Sequence, residues 1–320
     1  MLIDALVELL KGELVQTHAS WVILTDEYAY KIKKPVNFGF LDYSTLEKRK
    51  ENCYREVELN RRLCPWVYVG VVPIVKVGHS YSLDGEGEVV EYAVKMRRIP
   101  QERLMKNLLD SLGEAQMKAL SNHLWKFHQK AQRRDEFGRL EVMKFNTDEN
   151  FLQTEKYIGI TIDRDDFLFI KEKTDSFYKK YAKLFEKRIE EGRIRDGHGD
   201  IRLEHVAFLE EGICIFDCIE FNERFRCGDV LNDMCFLSME LDFYGRSDLA
   251  KIYEEEYGRL SADPEFEVFL PFFKCYRAYV RGKVESFMLD DPNLSEEVKQ
   301  NHRERASKFF KLSRSYAEQI

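Results

Sequence analysis

The segment 198–217 constrains the fold and chemistry of this 320-residue chain more than any other. It opens with His198-Gly199-Asp200 and ends with Asp217, which follows the apolar run Ile213-Cys214-Ile215-Phe216. The sequence Glu210-Glu211-Gly212 lies just before that run, so the segment predicts two short strands joined by a tight turn. Asp217 therefore stands at the end of a buried strand, 17 positions after Asp200.

Two carboxylates in this arrangement suit phosphoryl transfer. Asp200 could orient an acceptor hydroxyl and take its proton as catalytic base, and Asp217 could hold the magnesium ion that bridges the phosphates of ATP. Protein kinases have a loop with the same order: a His, an Asp, an Asn five positions later, and a metal-binding Asp on the next strand. Here His205 stands in the place of the Asn.

The sequence of this segment resembles that of the aminoglycoside phosphotransferase-like branch of the kinase superfamily, and in particular that of a poorly characterised bacterial subgroup. That branch has a His-Gly-Asp loop, a strand ending in Ile-Asp and further aspartates that open a helix, and this chain has Phe216-Asp217 followed by Gly228-Asp229-Val230-Leu231-Asn232-Asp233. The segments 30–36 and 217–222 also resemble the subgroup, and the resemblance runs from about Leu14 to about Glu285. The chain departs from the branch at His205 and in having no glycine-rich loop near its start.

The resemblance implies an α+β, bilobal protein-kinase-like fold, and the predicted order of elements agrees with it. An N-lobe, residues 1–98, would hold a small antiparallel sheet and one main helix that bind the nucleotide. A larger helical C-lobe, residues 99–320, would contain the catalytic hairpin, the metal site and the acceptor pocket. The patterns predict strands at 20–24, 28–33, 71–77 and 89–96, and helices at 2–10, 45–63, 114–131, 165–191, 229–243, 247–260, 265–289 and 294–318.

The lysine that would pair with phosphate is expected on the third strand of the small lobe, as in kinases. Ala29-Tyr30-Lys31 matches the Ala-x-Lys of the kinase signature, in which both residues face the cleft because strand side chains alternate. Lys33 lies on the same face and is the alternative to the preferred Lys31, whereas Lys34 faces away.

The carboxylate partner of that lysine is expected on the following helix. Glu56 is preferred to Glu58, because Leu59 and Leu63 continue the face of Glu56 with helical spacing.

Three residues are candidate metal ligands: Asp217, His205 and Glu220. A charged Asp217 at the end of a buried strand needs a compensating partner, and magnesium would be one. Imidazole is a poorer magnesium ligand than an oxygen, so His205 could bind the metal, bind phosphate as a cation, or support the loop. Glu220, three residues after Asp217, could supply a missing oxygen ligand. His198 is predicted to hold the loop by hydrogen bonds.

Other polar residues have weaker functional interpretations. The hydroxyls of Ser20 or Thr17 could substitute for the missing glycine-rich loop at the phosphates. Asp229 and Asp233 could contact substrate or metal, but carboxylates are favoured at helix N-termini anyway, and that explanation is preferred for Asp233. A late helix carries three basic residues that could line the acceptor pocket, although a solvated helix face is the preferred explanation: Arg277, Arg281 and Lys283.

Composition excludes several classes of protein. The formal net charge of −7 argues against a general nucleic-acid binder, and no apolar run approaches the roughly 20 residues that span a bilayer. The first helix contains Asp4 and Glu8 and has no basic start, so it is not expected to be a signal peptide. Seven cysteines predict reduced thiols in a cytoplasmic protein, and Cys214 and Cys218 are expected to be buried thiols rather than zinc ligands.

The sequence therefore predicts an ATP- and Mg²⁺-dependent phosphotransferase acting on a hydroxyl of a small molecule such as a sugar, amino sugar or aminoglycoside-like compound. A protein Ser/Thr kinase is an alternative, disfavoured because the chain lacks the Asp-Phe-Gly and Ala-Pro-Glu elements that bracket an activation loop. A nucleotide-binding pseudokinase is the other alternative, which His205 favours and the retained Asp200, Asp217 and Lys31 oppose. Neither the acceptor nor the oligomeric state follows from the sequence.

Overall fold

The computed structural model describes residues 2–320, which form two compact units. One unit, here called the sheet unit, comprises the chain up to Asp110 together with Glu204–Arg226. The other, the helical unit, comprises Ser111–Leu203 and Cys227–Ile320. The segment 204–226 belongs to the sheet unit, where its short hairpin shares an apolar core with the main helix of that unit.

The sheet unit is built on a six-stranded antiparallel sheet with the strand order β1-β2-β3-β6-β4-β5. These strands are β1 (Glu13–Gln16), β2 (Ser20–Leu24), β3 (Tyr28–Lys33), β4 (Tyr68–Val77), β5 (Ser80–Leu83) and β6 (Glu88–Arg97). The remaining strands of the chain are β7 (Ile194–Asp196), β8 (Val206–Phe208), β9 (Ile213–Ile215) and β10 (Cys227–Asp229). β8 and β9 form the predicted hairpin before Asp217, and β7 pairs with β10 in the helical unit.

The helices of residues 2–320 follow the predicted order, with additions. They are α1 (Leu2–Leu10), α2 (Leu46–Asn60), α3 (Met105–Leu108), α4 (Glu114–Lys130), α5 (Leu140–Thr154), α6 (Arg164–Glu190), α7 (Glu223–Arg226), α8 (Val230–Phe243), α9 (Ser247–Ser261), α10 (Phe266–Phe287) and α11 (Glu296–Ala317). None of them is long and apolar enough to cross a lipid bilayer.

The alternation of side chains along β3 determines which face of the sheet Lys31 and Lys33 point to. Tyr30 and Ile32 pack in an apolar cluster with Leu6 of α1, on one face of the sheet. Successive strand side chains point to opposite faces, so Lys31 and Lys33 point to the other face. That face is covered by α2, whose Cys53 and Val57 share a core with Val94 of β6 and with the β8–β9 hairpin.

The helical unit has a large aromatic core between α6, α8, α10 and α11. Phe309 of α11 stacks on Phe243 with ring centroids 3.7 Å apart, and Phe177 of α6 stacks on Phe272 of α10 at 4.2 Å. This packing fixes α8 and α10, the two helices that contact the loop carrying Asp200.

The predicted α+β organisation, with an antiparallel sheet followed by a larger set of helices, is confirmed, but seven elements of residues 2–320 were missed: β1, β5, β7, β10, α3, α5 and α7. Of these, β7, β10, α3 and α7 are only three or four residues long. The strand β1 is four residues long and mostly exposed, and β5 is equally short, so neither has a clear alternating pattern. Helix α5 exposes Phe145 and Leu152, so its apolar residues do not form one stripe. The division at residues 98 and 99 stays a prediction.

Candidate active site

Lys31 stands at the centre of a charged cluster in the sheet unit. Its Nζ donates to Asp217 Oδ1 at 2.6 Å and lies 2.9 Å from Glu56 Oε1, an ion pair without hydrogen-bond geometry. Glu56 is fully buried, whereas the Lys31 side chain is 17% exposed and the Asp217 side chain 42% exposed. The open part of the cluster therefore carries one ammonium and one carboxylate.

Lys33 forms a second, enclosed layer of the same cluster. Its Nζ donates to Glu56 Oε2 at 2.6 Å, to Glu220 Oε1, and to Tyr43 Oη at 3.3 Å. The Tyr43 hydroxyl donates to the same Glu220 oxygen. Lys33 is 1% exposed. The carboxylate of Glu56 therefore bridges the two lysines, one oxygen to each.

Opposite charges, rather than solvent, keep this cluster ionised. Burial alone would lower the pKa of Lys31, but Asp217, Glu56 and Glu220 raise it well above its ordinary value. Burial would likewise lower the pKa of Lys33, and Glu220 and Glu56 raise it. The pKa of Glu56 is lowered, because the two lysines outweigh the effect of burial. Three carboxylates face two ammonium groups, so the cluster has one surplus negative charge.

The backbone at Asp217 is held in an uncommon conformation. Its φ angle is +61°, in the left-handed region that few residues other than glycine adopt. The Asp217 N–H donates to Tyr68 Oη at 3.2 Å, and the next N–H, of Cys218, donates to Asn60 Oδ1 at 2.9 Å. Asn60 also donates to the carbonyl oxygen of Glu56 at 2.8 Å, so one side chain links the helix of Glu56 to the backbone beside Asp217.

His205 lies next to Asp217, as the sequence placed it. Its ring Nε2 is 3.6 Å from Asp217 Oδ2, and the residue is 8% exposed. Among residues 2–320, no group of three or more His, Cys, Asp or Glu side chains is arranged as a metal site on its own. The metal roles of Asp217, His205 and Glu220 stay predictions.

Two of the cysteines are not reduced thiols, contrary to the expectation from the sequence. Cys64, just beyond α2, and Cys214 of β9 form a disulfide with a Cα–Cα distance of 4.7 Å. The two residues meet because α2 and the β8–β9 hairpin share one apolar core, which sequence spacing cannot reveal. The five other cysteines, including Cys218, are buried and take no part in a disulfide.

Asp200 lies in the helical unit, on a loop held by Asp233. The N–H groups of His198 and Gly199 each donate to a different oxygen of Asp233 at 2.8 Å. His128 lies 3.1 Å from Asp233 through Nε2 and 2.6 Å from the Tyr257 hydroxyl through Nδ1. Asp233 is therefore more than a helix N-terminal carboxylate: it fixes the backbone immediately before Asp200.

A second carboxylate holds the loop on the other side of Asp200. The Leu203 N–H donates to Glu240 Oε2 at 2.9 Å, and Arg202 Nε donates to Glu240 Oε1 at 3.1 Å. Both Asp233 and Glu240 are on α8 and both are buried. Helix α8 thus forms hydrogen bonds with the loop on both sides of Asp200, the candidate base.

The explanation given for the basic residues of α10 is wrong, whereas the helix N-terminal explanation given for Asp229 is confirmed. Arg277 and Arg281 are not on a solvated helix face, since both are buried and turned toward the loop of Asp200 and toward α8. Asp229 caps α8 and forms an ion pair with the buried Arg188. A helical pattern gives the face of a charged residue, but it does not tell whether solvent or a buried partner covers that face.

Of the two hydroxyls proposed for the phosphate loop, that of Thr17 lies in the turn between β1 and β2, and that of Ser20 is on the first residue of β2. The Thr17 Oγ1 accepts from the Ser20 N–H at 3.0 Å, and Ser20 is buried. The Lys34 Nζ donates to the Thr17 carbonyl at 2.6 Å. The phosphate role of Ser20 stays a prediction.

Four residues of the site were not singled out from the sequence: Tyr43, Asn60, Tyr68 and Glu240. Asn60 carried a usable signal, because it lies four residues after Glu56 and hence on the same helical face. The other three act through contacts between segments far apart in the chain.

The fold is similar to that of several solved proteins described as choline, choline/ethanolamine and amicoumacin kinases. A choline/ethanolamine kinase family protein from Mesorhizobium loti superimposes with a TM-score of 0.55 at 12% identity, over 100% of both chains. A choline kinase from Cryptosporidium parvum gives 0.56 at 10% identity, over 96% of this chain and 89% of that one. An amicoumacin kinase in complex with AMP-PNP, Ca²⁺ and Ami gives 0.52 at 14% identity, over 92% and 87%. The predicted kinase-like fold is thus confirmed.

Sequence comparison adds relatives without a described activity. Uncharacterised proteins of Mycobacterium bovis and Mycobacterium tuberculosis are each 33% identical over 275 residues, which is 84% of this chain and 54% of the relative. The chain therefore spans about half the length of the curated relatives it matches. No family model matches the sequence.

Proposed function

We propose that the protein transfers the γ-phosphoryl group of ATP to a hydroxyl of a small molecule, such as a sugar, an amino sugar or an aminoglycoside-like compound. The observation that carries this proposal is the contact of Lys31 with both Asp217 and Glu56. A lysine held by a helix carboxylate, beside an accessible aspartate at a strand end, is the arrangement that kinases use for phosphates and metal.

The residues of the cluster fit a magnesium nucleotide. Magnesium prefers hard oxygen ligands and is usually bound through one or two carboxylates together with substrate phosphates. Asp217 offers such a carboxylate in the more open part of a cluster with one surplus negative charge. Lys31, already charged and partly exposed, would pair with a phosphate oxygen. When bound, the nucleotide would supply the phosphoryl group, and the magnesium ion would neutralise negative charge on the phosphates.

The role of Asp200 in this function is that of base. Its loop is fixed by Asp233 before it and by Glu240 after it, so its carboxylate is preorganised to orient an acceptor hydroxyl and accept its proton. Positioning, rather than covalent chemistry, is the main contribution that a protein makes to phosphoryl transfer. The amicoumacin kinase and choline kinases that share the fold are small-molecule kinases by name, which supports this class of acceptor.

The test is phosphate transfer from radiolabelled ATP with magnesium to a panel of small hydroxyl compounds and proteins. We expect a labelled small molecule with the wild type and almost none with Asp200→Asn. Asp148→Asn, which changes an exposed aspartate on α5, is the matched control and should keep wild-type transfer. Nucleotide binding without transfer to any acceptor would instead identify a nucleotide-binding module, and transfer to proteins alone would identify a protein kinase.

A further inference from the structure

We propose that the acceptor carries an anionic group, a carboxylate or a phosphate, and that Arg277 and Arg281 bind it beside Asp200. This inference rests on the proposed function and narrows its substrate class. It follows from the contacts of the two arginines within the helical unit.

The two arginines project from the same side of α10. They are four residues apart, so their side chains are neighbours on one helical face. Arg277 is 7% exposed and Arg281 6% exposed. Burying a guanidinium is costly unless an anion compensates its charge, so the partners of each arginine decide what the site can bind.

Arg277 has backbone partners but no carboxylate partner. Its Nε donates to the Asn232 carbonyl at 3.0 Å, and its Nη1 donates to the Gly199 carbonyl at 3.3 Å, next to Asp200. The guanidinium also lies over the Phe236 ring, 4.8 Å from the centroid. Within residues 2–320, no Asp or Glu oxygen lies within 4.0 Å of it, and no protein atom accepts a hydrogen bond from its Nη2.

Arg281 shares its carboxylate partners with other cations. Its Nη2 donates to Glu285 Oε1 at 2.8 Å, and Glu285 also accepts from His302 at 2.7 Å and from Arg305 at 3.3 Å. Its Nε lies 3.8 Å from Glu240 Oε1, too far for a hydrogen bond, and is buried without an acceptor.

The carboxylates that Arg281 contacts are each shared with a second arginine. Glu240 also pairs with Arg202, and Glu285 also pairs with Arg305. The pKa of Arg281 is lowered, because burial and the neighbouring Arg202 outweigh Glu240, Glu285 and Asp200. One monoanion would balance the charge of Arg277, which has no carboxylate partner among the described residues, and guanidinium groups bind carboxylate and phosphate oxygens through paired hydrogen bonds. Since Arg277 donates to the carbonyl of Gly199, the residue next to Asp200, such an anion would place a nearby hydroxyl at the base.

Direct anion binding is the first test. The nucleotide site is saturated with magnesium and a non-hydrolysable ATP analogue, so that an added anion cannot bind there. Inorganic phosphate and gluconate are then titrated by calorimetry. We expect saturable binding of at least one, weakened about tenfold or more by Arg281→Gln, the loss expected from one charge-assisted hydrogen bond. Binding of phosphate but not gluconate would identify the bound group as a phosphate, and the reverse result would identify it as a carboxylate. No saturable binding of either to the wild type overturns the inference.

Two further variants separate recognition from folding. Arg259→Gln, which removes an exposed arginine of the same unit, is the matched control and should bind the anion like the wild type. Arg277→Lys keeps the charge and loses the planar fork, so it should fold and bind more weakly. Unchanged binding in both Arg281→Gln and Arg277→Lys would place the anion elsewhere and overturn the proposal. Circular dichroism checks that each variant is folded. If Arg281→Gln does not fold, the effect of Arg277→Lys on anion binding tests the proposal.

Acceptor use is the second test, and it distinguishes this inference from the proposed function. Four related hydroxyl compounds differ in charge: glucose is neutral, glucosamine is cationic, and gluconate and glucose 6-phosphate are anionic. We expect transfer from ATP to an anionic member at a kcat/KM at least about tenfold above that of the neutral or cationic ones. Transfer to glucosamine or glucose at an equal or higher rate overturns the inference while leaving the phosphotransferase itself established. Absence of transfer with all four counts against the proposed function, and the binding experiment then still decides the anion site.

Discussion

Lys33 Nζ lies 2.6 Å from Glu56 Oε2, and both side chains are almost completely removed from solvent. Lys31 contacts the other oxygen of the same carboxylate but keeps a partly exposed side chain. Lys31 and Lys33, which point to the same face of β3, therefore differ in their surroundings. Lys33 neutralises buried carboxylates, and Lys31 is the one placed with the more exposed Asp217.

Lys31→Ala should weaken nucleotide binding more than Lys33→Ala does, measured on the folded protein. Lys33→Ala should instead lower the free energy of unfolding by about 3–5 kcal/mol, because it leaves Glu56 and Glu220 buried without their shared cation. Denaturant unfolding and titration with an ATP analogue measure the two effects separately. A larger loss of nucleotide affinity in Lys33→Ala would move the phosphate contact to Lys33.

Asp217→Ala should abolish magnesium-dependent nucleotide binding or turnover, because it removes the most exposed carboxylate of the cluster. Turnover is measured over a range of magnesium concentrations, with Asp42→Ala, an aspartate of the same unit paired with Lys48, as control. Wild-type turnover of the Asp217 variant at every magnesium concentration would disprove the metal assignment.

Asp200→Asn should leave ATP affinity nearly unchanged and lower turnover severely. A positioned base contributes on the order of 10²–10⁴ in rate, and the amide cannot accept the proton of the hydroxyl. Affinity is measured with an ATP analogue and turnover with the best acceptor found. A variant as active as the wild type would remove the basis for base catalysis.

Local patterns predicted the parts of the site that depend on one segment. Strand alternation put Lys31 and Lys33 on one face, and helical spacing preferred Glu56, which is buried, to Glu58, which is exposed. The contact of Lys33 with Glu220 joins residues 187 positions apart, and the disulfide joins residues 150 positions apart. Such pairs depend on how α2, the sheet and the hairpin pack together, which no short sequence pattern encodes.

Asp233→Asn should lower the free energy of unfolding at neutral pH by about 1–3 kcal/mol, because it weakens the acceptor of two buried N–H groups. Burial would raise the pKa of Asp233, but hydrogen bonds and the charges of His128 and His198 hold it below its ordinary value. A depressed pKa gives stability that is complete above the unfolded value of about 3.9 and is lost as the pH falls below it. The difference between variant and wild type should therefore shrink in acid, and denaturant unfolding at several pH values measures it. A difference that stays constant down to acid pH would contradict this linkage.

The disulfide gives a prediction for thiol chemistry. Alkylation of the denatured, unreduced protein should label the five cysteines outside the disulfide, and prior reduction should add Cys64 and Cys214. Replacing both by serine should lower the free energy of unfolding by about 2–4 kcal/mol, mainly by freeing the unfolded chain. Cys227→Ser is a single-site control that leaves the disulfide intact. Seven labelled cysteines before reduction would show that the bond does not form.

The left-handed backbone of Asp217 also limits how this position can change during evolution. Aspartate combines a negative charge with some tolerance of that conformation. Asparagine keeps the tolerance and loses the charge, glutamate keeps the charge without the short side chain that eases the strain, and glycine relaxes the backbone but has no carboxylate. No single replacement preserves both properties, so homologues that retain the activity should diverge around residue 217 while the residue itself stays fixed.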